Sequence, residues 1–441
     1  MKLDIRYVDI NKYMFFLLFL SASWDIFANF KIFGYSFRFF YFIELLIALM
    51  LIYRMYNNNK YILKTFPGHT YFLIWILFIF YFIPNTTVLM RNVGYFIWLL
   101  LSYILLLIFV NLIDNVDKYL KYLKLYLYSY FFMAIFGVVQ FIAGLFGISL
   151  KTAQWWIPGI LPRINGLNYE PSYYGTYLSG GEAFLYWLTF IEKKEIIPFQ
   201  KFITLFILFV MVLSTSRLAI VAILFIISIH FYKEVLIPLS YGVIPKTGLK
   251  LIVISLSAFT AAVYYILTHI EEFYIFFSGI GLFGASSHSL RERLVATKDV
   301  LQIFLENPII GVSLGGIPSY RAVFYNAFIT TQWEAKHFEG VNVILEVMAA
   351  SGIIGFLFFV MFWINAIYIH KELSKKLTRN NNLIVALTNS AGIMVLAEIF
   401  TLLFNQNILR PYLWLSIGIY MVSLRILQEE AHSIGNEKAG S

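Results

Sequence analysis

Apolar residues in this chain fall into runs of about 18–25, separated by short charged segments, which is the length of helix that crosses a bilayer. Alternating segments of about 10 residues, as in a membrane β-barrel, are not seen. The pattern predicts an all-α fold, a polytopic transmembrane helical bundle of about 12 spans. The first six run over 13–31, 36–56, 70–89, 93–113, 126–148 and 172–191. The second six run over 200–215, 217–232, 249–268, 341–369, 382–404 and 409–427. The seventh and eighth are short and share a tight turn at Ser214–Arg217. One segment between runs is long, 270–340, and its "SLRERLVATKDVLQIFLENP" has helical periodicity. Leu290, Leu294, Leu301, Phe304 and Leu305 form one stripe, predicting a surface helix. With no internal repeat, residues 1–441 read as a single integral membrane domain with 270–340 as its long outer loop.

Charge orients the bundle. Lysine-rich segments such as Lys118, Lys121 and Lys124, or Lys371, Lys375 and Lys376, recur at every second connection. The positive-inside rule then places both termini in the cytoplasm. The connections left outside carry Lys31, Arg38, Arg91, Lys151, Arg163, Arg217 and Arg410. Retention at the lipid surface explains the inner lysines and leaves the outer arginines unexplained.

Composition agrees with a membrane protein: 60% of residues are hydrophobic and 13% charged, against about 25% charged in soluble domains. The net charge of +9 is absorbed by the cytoplasmic loops and calls for no nucleic acid. Absence of cysteine excludes thiol catalysis and disulfides. The histidines are scattered without metal-ligand spacing, so no metal or other cofactor is expected.

The candidate chemistry gathers on the outer face. In "RINGLNYEPSYYGTYLSGG", Pro171 fits a first helical position and Glu170 the N-cap. Such a helix start directs N–H groups toward an anion, although a plain capped helix reads equally well. Arg217 follows Ser214, Thr215 and Ser216, a set suited to phosphate oxygen or to a snorkelling arginine. Arg291 and Arg293 open the surface helix and, at i and i+2, do not share a face, so one of them is expected to reach inward. Gly311, Gly315 and Gly316 form a turn able to present N–H groups to phosphate. His337 and Glu339 stand at a membrane boundary as base candidates or as solvated groups. Glu44, Glu182, Glu346 and Glu398 lie within spans, as functional acids or as arginine partners. Arginines clasp phosphate by forked hydrogen bonds, so a lipid-linked diphosphate suits this surface.

These motifs resemble those of the O-antigen polymerase and O-antigen ligase superfamily of bacterial polysaccharide-assembly proteins. "RINGLNYEPSYYG" looks like its Arg-x-x-Gly and Glu-Pro-Ser signature, and "LSTSRLAIVA" its Ser-Arg turn. "SLRERLVATKDVLQIFLENPIIGVSLGG" resembles its Arg-led helix ending in Asn-Pro-x-x-Gly. "VNVILEVMAASGIIG" is similar to a ligase motif, except that Val341 stands where the family has histidine. His337, four residues earlier, would share a face with 341 if the helix began that early, whereas Gly340 could start it later.

The resemblance implies a GT-C-like glycosyltransferase that needs no metal, in the bacterial inner membrane, with its site facing the periplasm. An undecaprenyl-diphosphate-linked oligosaccharide would be the donor and a second lipid-linked unit the acceptor, joined with inversion. A chain-length regulator is a further partner implied by the family. On this reading Arg163, Arg217, Arg291 and Arg293 bind diphosphate, and Glu170, His337 and Glu339 are base candidates, with a Glu170–arginine ion pair as the alternative. Trp155, Trp156, Tyr169, Tyr173 and Tyr174 could stack on sugars or form an interfacial belt. Rival readings are a ligase transferring polymer to a lipid A-core and a lipid-linked oligosaccharide flippase, the latter disfavoured by the lack of paired repeats.

Overall fold

The computed structural model describes residues 4–32, 35–58, 62–81, 86–151, 154–157, 161–243, 246–268, 288–377, 383–405 and 408–439. Helix occupies each of the twelve apolar stretches. In the first half these are α1 (Asp4–Ser21), α2 (Phe39–Asn57), α3 (His69–Tyr81), α4 (Leu89–Leu112), α5 (Val116–Leu145) and α6 (Pro171–Tyr186). The second half has α7 (Gln200–Leu213), α8 (Arg217–Phe231) and α9 (Lys246–Thr268). After the surface helix α10 (His288–Glu306) and the short α11 (Ile317–Val323) come α12 (Val343–Leu377), α13 (Leu383–Leu402) and α14 (Pro411–Ala439). Among the described residues six helical stretches are long and apolar enough to cross a membrane. They are α2, α4, α5, α8 with its continuation to Ser240, α12 and α13. This makes the chain a membrane protein, and the count of twelve crossings stays an expectation.

Several boundaries differ from the sequence pattern for identifiable reasons. The stretch 13–31 does not stay helical, because α1 ends at Ser21 and an antiparallel hairpin follows, Asn29–Ile32 with Tyr35–Arg38. A second hairpin pairs Gln154–Ile157 with Leu161–Arg163. α5 starts ten residues before the apolar run because Asn115 caps it, its side chain accepting the Lys118 N–H at 2.9 Å. Lys118, Lys121 and Lys124 therefore sit on helix.

α6 and α14 form the centre of the bundle. Every residue of α6 from Tyr174 to Leu185 is buried, and α14 is buried from Pro411 to Leu427. Helices that are apolar on all sides belong inside. Small residues let neighbours close on α6: a Cβ on Gly175 would come within 2.9 Å of the Ala219 Cβ of α8. Gly180 and Gly181 lie against Glu398 and Tyr130, so they serve helix packing.

The surface helix is present as expected, with 269–287 outside the described residues. Its predicted apolar stripe, however, faces outward: Leu294, Leu301 and Leu305 are exposed. Ala296, Val300 and Ile303 are buried, and α10 rests on α12. The Asn-Pro-x-x-Gly turn and the Gly-x-x-Gly of the following helix explain each other. Gly352 has φ 58° inside α12, a kink that frees backbone groups on both sides. Val312 and Ser313 N–H donate to the carbonyls of Ala349 and Ala350 at 2.9 and 2.8 Å, and Ile353 N–H donates to Pro308 at 2.7 Å. The turn is thus stitched into the kink, which fixes where α10 ends. Gly352→Ala should cost about 1–3 kcal/mol from a backbone conformation essentially open to glycine alone, and more from the Cβ, which would meet the Ile309 carbonyl. A lower melting temperature in detergent checks this.

Candidate functional site

The loop from Arg163 to Glu170 is shaped by α5. Gln140 Oε1 accepts the N–H groups of Asn165 and Gly166 at 2.9 and 3.0 Å. Gly166 has φ 55°, and a Cβ there would lie 2.7 Å from the Tyr174 ring, so glycine is required. Tyr174 Oη donates to the Met133 carbonyl at 2.7 Å, anchoring α6 to α5. The Asn-Gly centre of the motif is therefore structural, and its charged ends, Arg163 and Glu170, are what it presents.

Arg163 joins two turns. Its Nη1 donates to Gln154 Oε1 at 2.9 Å across the hairpin. Its Nε and Nη2 donate to the Thr215 hydroxyl and carbonyl at 3.1 and 3.3 Å. Thr215, at φ 51°, is the bend between α7 and α8. Ser216 caps α8, accepting the Ala219 N–H at 3.4 Å, and Arg217 is the first helical residue. Burial, and after it the nearby Arg217 charge, push the Arg163 guanidinium below its ordinary range, while Glu170 acts the other way. Two guanidinium groups that repel across a cleft favour a bound anion.

Glu170 is the N-cap of α6 by position, with Pro171 at the start of the helix. Its carboxylate does not bond the helix N–H groups. It accepts the Ser172 hydroxyl at 3.1 Å instead. Among the described residues it forms no ion pair within 4.0 Å, so the alternative of a direct Glu170–arginine pair is not realised.

The seven candidate residues come together around two adjoining cavities. The smaller, about 320 Å³, is lined by Arg163, Arg217 and Arg293 with Gln154 and Ser216. The larger, about 630 Å³, is lined by Arg291, Arg293, Arg321, Lys336, His337 and Glu339. Glu170, Glu292 and Arg293 line both. The expectation that one of Arg291 and Arg293 reaches inward is corrected: both line the larger cavity. α10 presents its N-terminal end, so residues on different sides of its first turns meet the same space. α6, α8 and α10 all begin here, adding the partial positive charge of helix N-termini.

The arginines that the charge pattern assigns to the outer face divide into two groups. Arg38 and Arg410 bracket Asp25, at 3.0 and 3.3 Å, and Arg410 also stacks 3.9 Å from the Tyr173 ring centre. Arg91 pairs with Glu339 and donates to Tyr95 Oη at 2.7 Å. Arg321 bonds Asp299 Oδ2 at 2.8 Å and the Glu339 carbonyl at 2.9 Å. These arginines hold the scaffold. Among the described residues Arg163, Arg291 and Arg293 have no carboxylate within 4.0 Å, and they face the cavities.

Glu339 is thereby held by the buried Arg91. Breaking a buried pair costs about 3–5 kcal/mol, so Glu339→Ala should lower the melting temperature of the purified protein sharply. His337 sits exposed on the turn Lys336–Phe338, its ring edge-on to Trp333 at 5.9 Å. α12 starts only at Val343, with Asn342 accepting the Ile344 and Leu345 N–H groups at 3.2 and 3.1 Å. The shared helix face of His337 and Val341 does not form, yet both line the larger cavity.

Two further expectations change. The Gly315 turn does not open as a phosphate nest, because Gly315 lies against the Arg91–Asn92 backbone, with a Cβ there 2.6 Å from the Asn92 Cα. Glu44, Glu182 and Glu398 are buried with carboxylate oxygens that have no hydrogen-bond partner among the described residues, and none pairs with an arginine. Sequence reasoning missed Glu292, Arg321, Lys336 and Gln154 as lining residues. The "RER" triplet was the signal for Glu292, whereas Gln154 is brought in only by strand pairing with Arg163.

Residues 202–360 match the family model described as O-antigen ligase. No curated protein matches the chain. The match contains Arg217, Arg291, Arg293, the Asn-Pro-x-x-Gly turn and the Gly352 kink, while Arg163 and Glu170 precede it. The segment that carries these arginines and the stitched kink is thus similar to the O-antigen ligase family, over about a third of the chain.

Proposed function

We propose that the protein is a polysaccharide polymerase that joins undecaprenyl-diphosphate-linked repeat units at the periplasmic face, with inversion. The observation that carries this reading is the position of Glu170, on the wall between an arginine-lined cleft and a larger polar cavity. The smaller cavity takes the donor diphosphate on Arg163, Arg217 and Arg293. The larger one takes the acceptor sugar, with Arg291 beside it. Glu170 removes the proton from the attacking hydroxyl. The new bond forms between that oxygen and the donor anomeric carbon, the bond from this carbon to the diphosphate oxygen breaks, and its electron pair leaves with undecaprenyl diphosphate. The arginines stabilise the charge that develops on the leaving oxygen. His337 is the second base candidate, being exposed in the same cavity. Glu339 is withdrawn from that role, since Arg91 holds it.

The name of the matched family favours one other reading, a ligase that transfers finished polymer to a lipid A-core. Val341 argues against a ligase mechanism that uses a histidine there. Purified protein supplied with one lipid-linked donor and each acceptor in turn separates the two. A ladder of lengthening lipid-linked chains supports the polymerase, and a single transfer to core supports the ligase.

A further inference from the structure

A further cavity, about 710 Å³, lies apart from the arginines. It is a groove with α12 and α13 as walls and α14 as floor, faced by Phe359, Trp363, Ile367, Ile393, Leu396 and Ile417. From Phe356 to His370 on α12 it extends about 21 Å at 1.5 Å per residue, more than the ~15 Å of one leaflet.

One end of the groove is apolar, at Val343 and Ile344. The other is a hydrogen-bonded chain drawn from several helices. Tyr420 Oη and His370 Nδ1 lie 3.0 Å apart, and His370 Nε2 and Asn389 Oδ1 2.9 Å. Asn389 and Trp187 both donate to Glu192 Oε1, at 3.1 and 3.0 Å. Lys233 Nζ lies 3.5 Å from the same oxygen and 4.6 Å from the Trp187 ring centre. Lys193, Lys371, Lys375 and Lys376 are exposed around this end.

We propose that this groove binds an anionic phospholipid, its acyl chain lying between α12 and α13 and its phosphate beside Lys233. A hydrocarbon tail entering from the far end would finish against a charged, hydrogen-bonded wall, which is unfavourable. A phospholipid places its own charge there, among lysines that attract it. The site is separate from the transfer reaction and does not depend on that reading.

The test is native mass spectrometry of the purified full chain in detergent, with dioleoylphosphatidylglycerol or dioleoylphosphatidylcholine added and no glycan present. The wild type should retain the anionic lipid roughly fivefold over the zwitterionic one. Lys233→Gln should bring that ratio near one. Leu396→Trp fills the groove from a position half exposed to it, and should remove both lipids without changing the melting temperature. Equal retention of the two lipids by the wild type overturns the proposal, as does Leu396→Trp retaining the anionic lipid. Displacement of that lipid by undecaprenyl phosphate would assign the groove to a polyprenyl tail and overturn it as well.

Discussion

Glu170→Gln protein should bind its lipid-linked donor normally and form glycosidic bonds about 10³-fold more slowly, within the range for loss of a general base. The amide keeps the size of the carboxylate and can still meet the Ser172 hydroxyl, which bonds Glu170 at 3.1 Å. The start of α6 should hold, because Pro171 and the loop bonds to Gln140 set it rather than a Glu170 cap. What is lost is an acceptor for the proton, on the wall shared by the two cavities. Donor binding measured alongside single-turnover bond formation checks both halves. A Glu170→Gln protein that turns over at the wild-type rate would move the base role to His337.

Arg163→Ala should lower kcat/KM by about 10²–10³-fold, the usual cost of removing a donor to a developing oxyanion. Arg217→Ala should act in the same range. The double variant should fall short of the product of the two effects if, as proposed, both guanidinium groups serve one anion. The contrast is Arg38→Ala. That residue bonds Asp25, which also holds Arg410, so its loss should lower the melting temperature and leave the rate per folded molecule near wild type. Initial rates on a lipid-linked donor, normalised to folded protein, distinguish the two classes.

The helical stretches were legible in the sequence because bilayer crossing imposes a length and an apolarity that composition records directly. Boundaries were harder where polar residues continue a helix, as in the lysine-bearing start of α5 capped by Asn115, or where apolar residues enter a hairpin, as after Ser21. In the candidate site, the motif residues Arg163, Glu170, Arg217, Arg291 and Arg293 were all readable, and they share the two cavities. Their pairing states were not. Arg91 and Arg163 look alike in sequence, yet Arg91 is bound to Glu339 from a segment 248 residues away, while Arg163 faces the cleft. Gly352 was legible as part of a motif, but its φ of 58° and its stitch to the Asn-Pro turn are tertiary facts.

The central claim, that lipid diphosphate is released at the arginine-lined cleft, is tested most directly by counting. Purified wild-type protein with a labelled undecaprenyl-diphosphate-linked donor should release one undecaprenyl diphosphate for each glycosidic bond formed. The triple variant Arg163→Ala, Arg217→Ala, Arg291→Ala should release almost none per folded molecule. Polymer formed without that release, or a triple variant giving wild-type chain length and yield, would contradict the account.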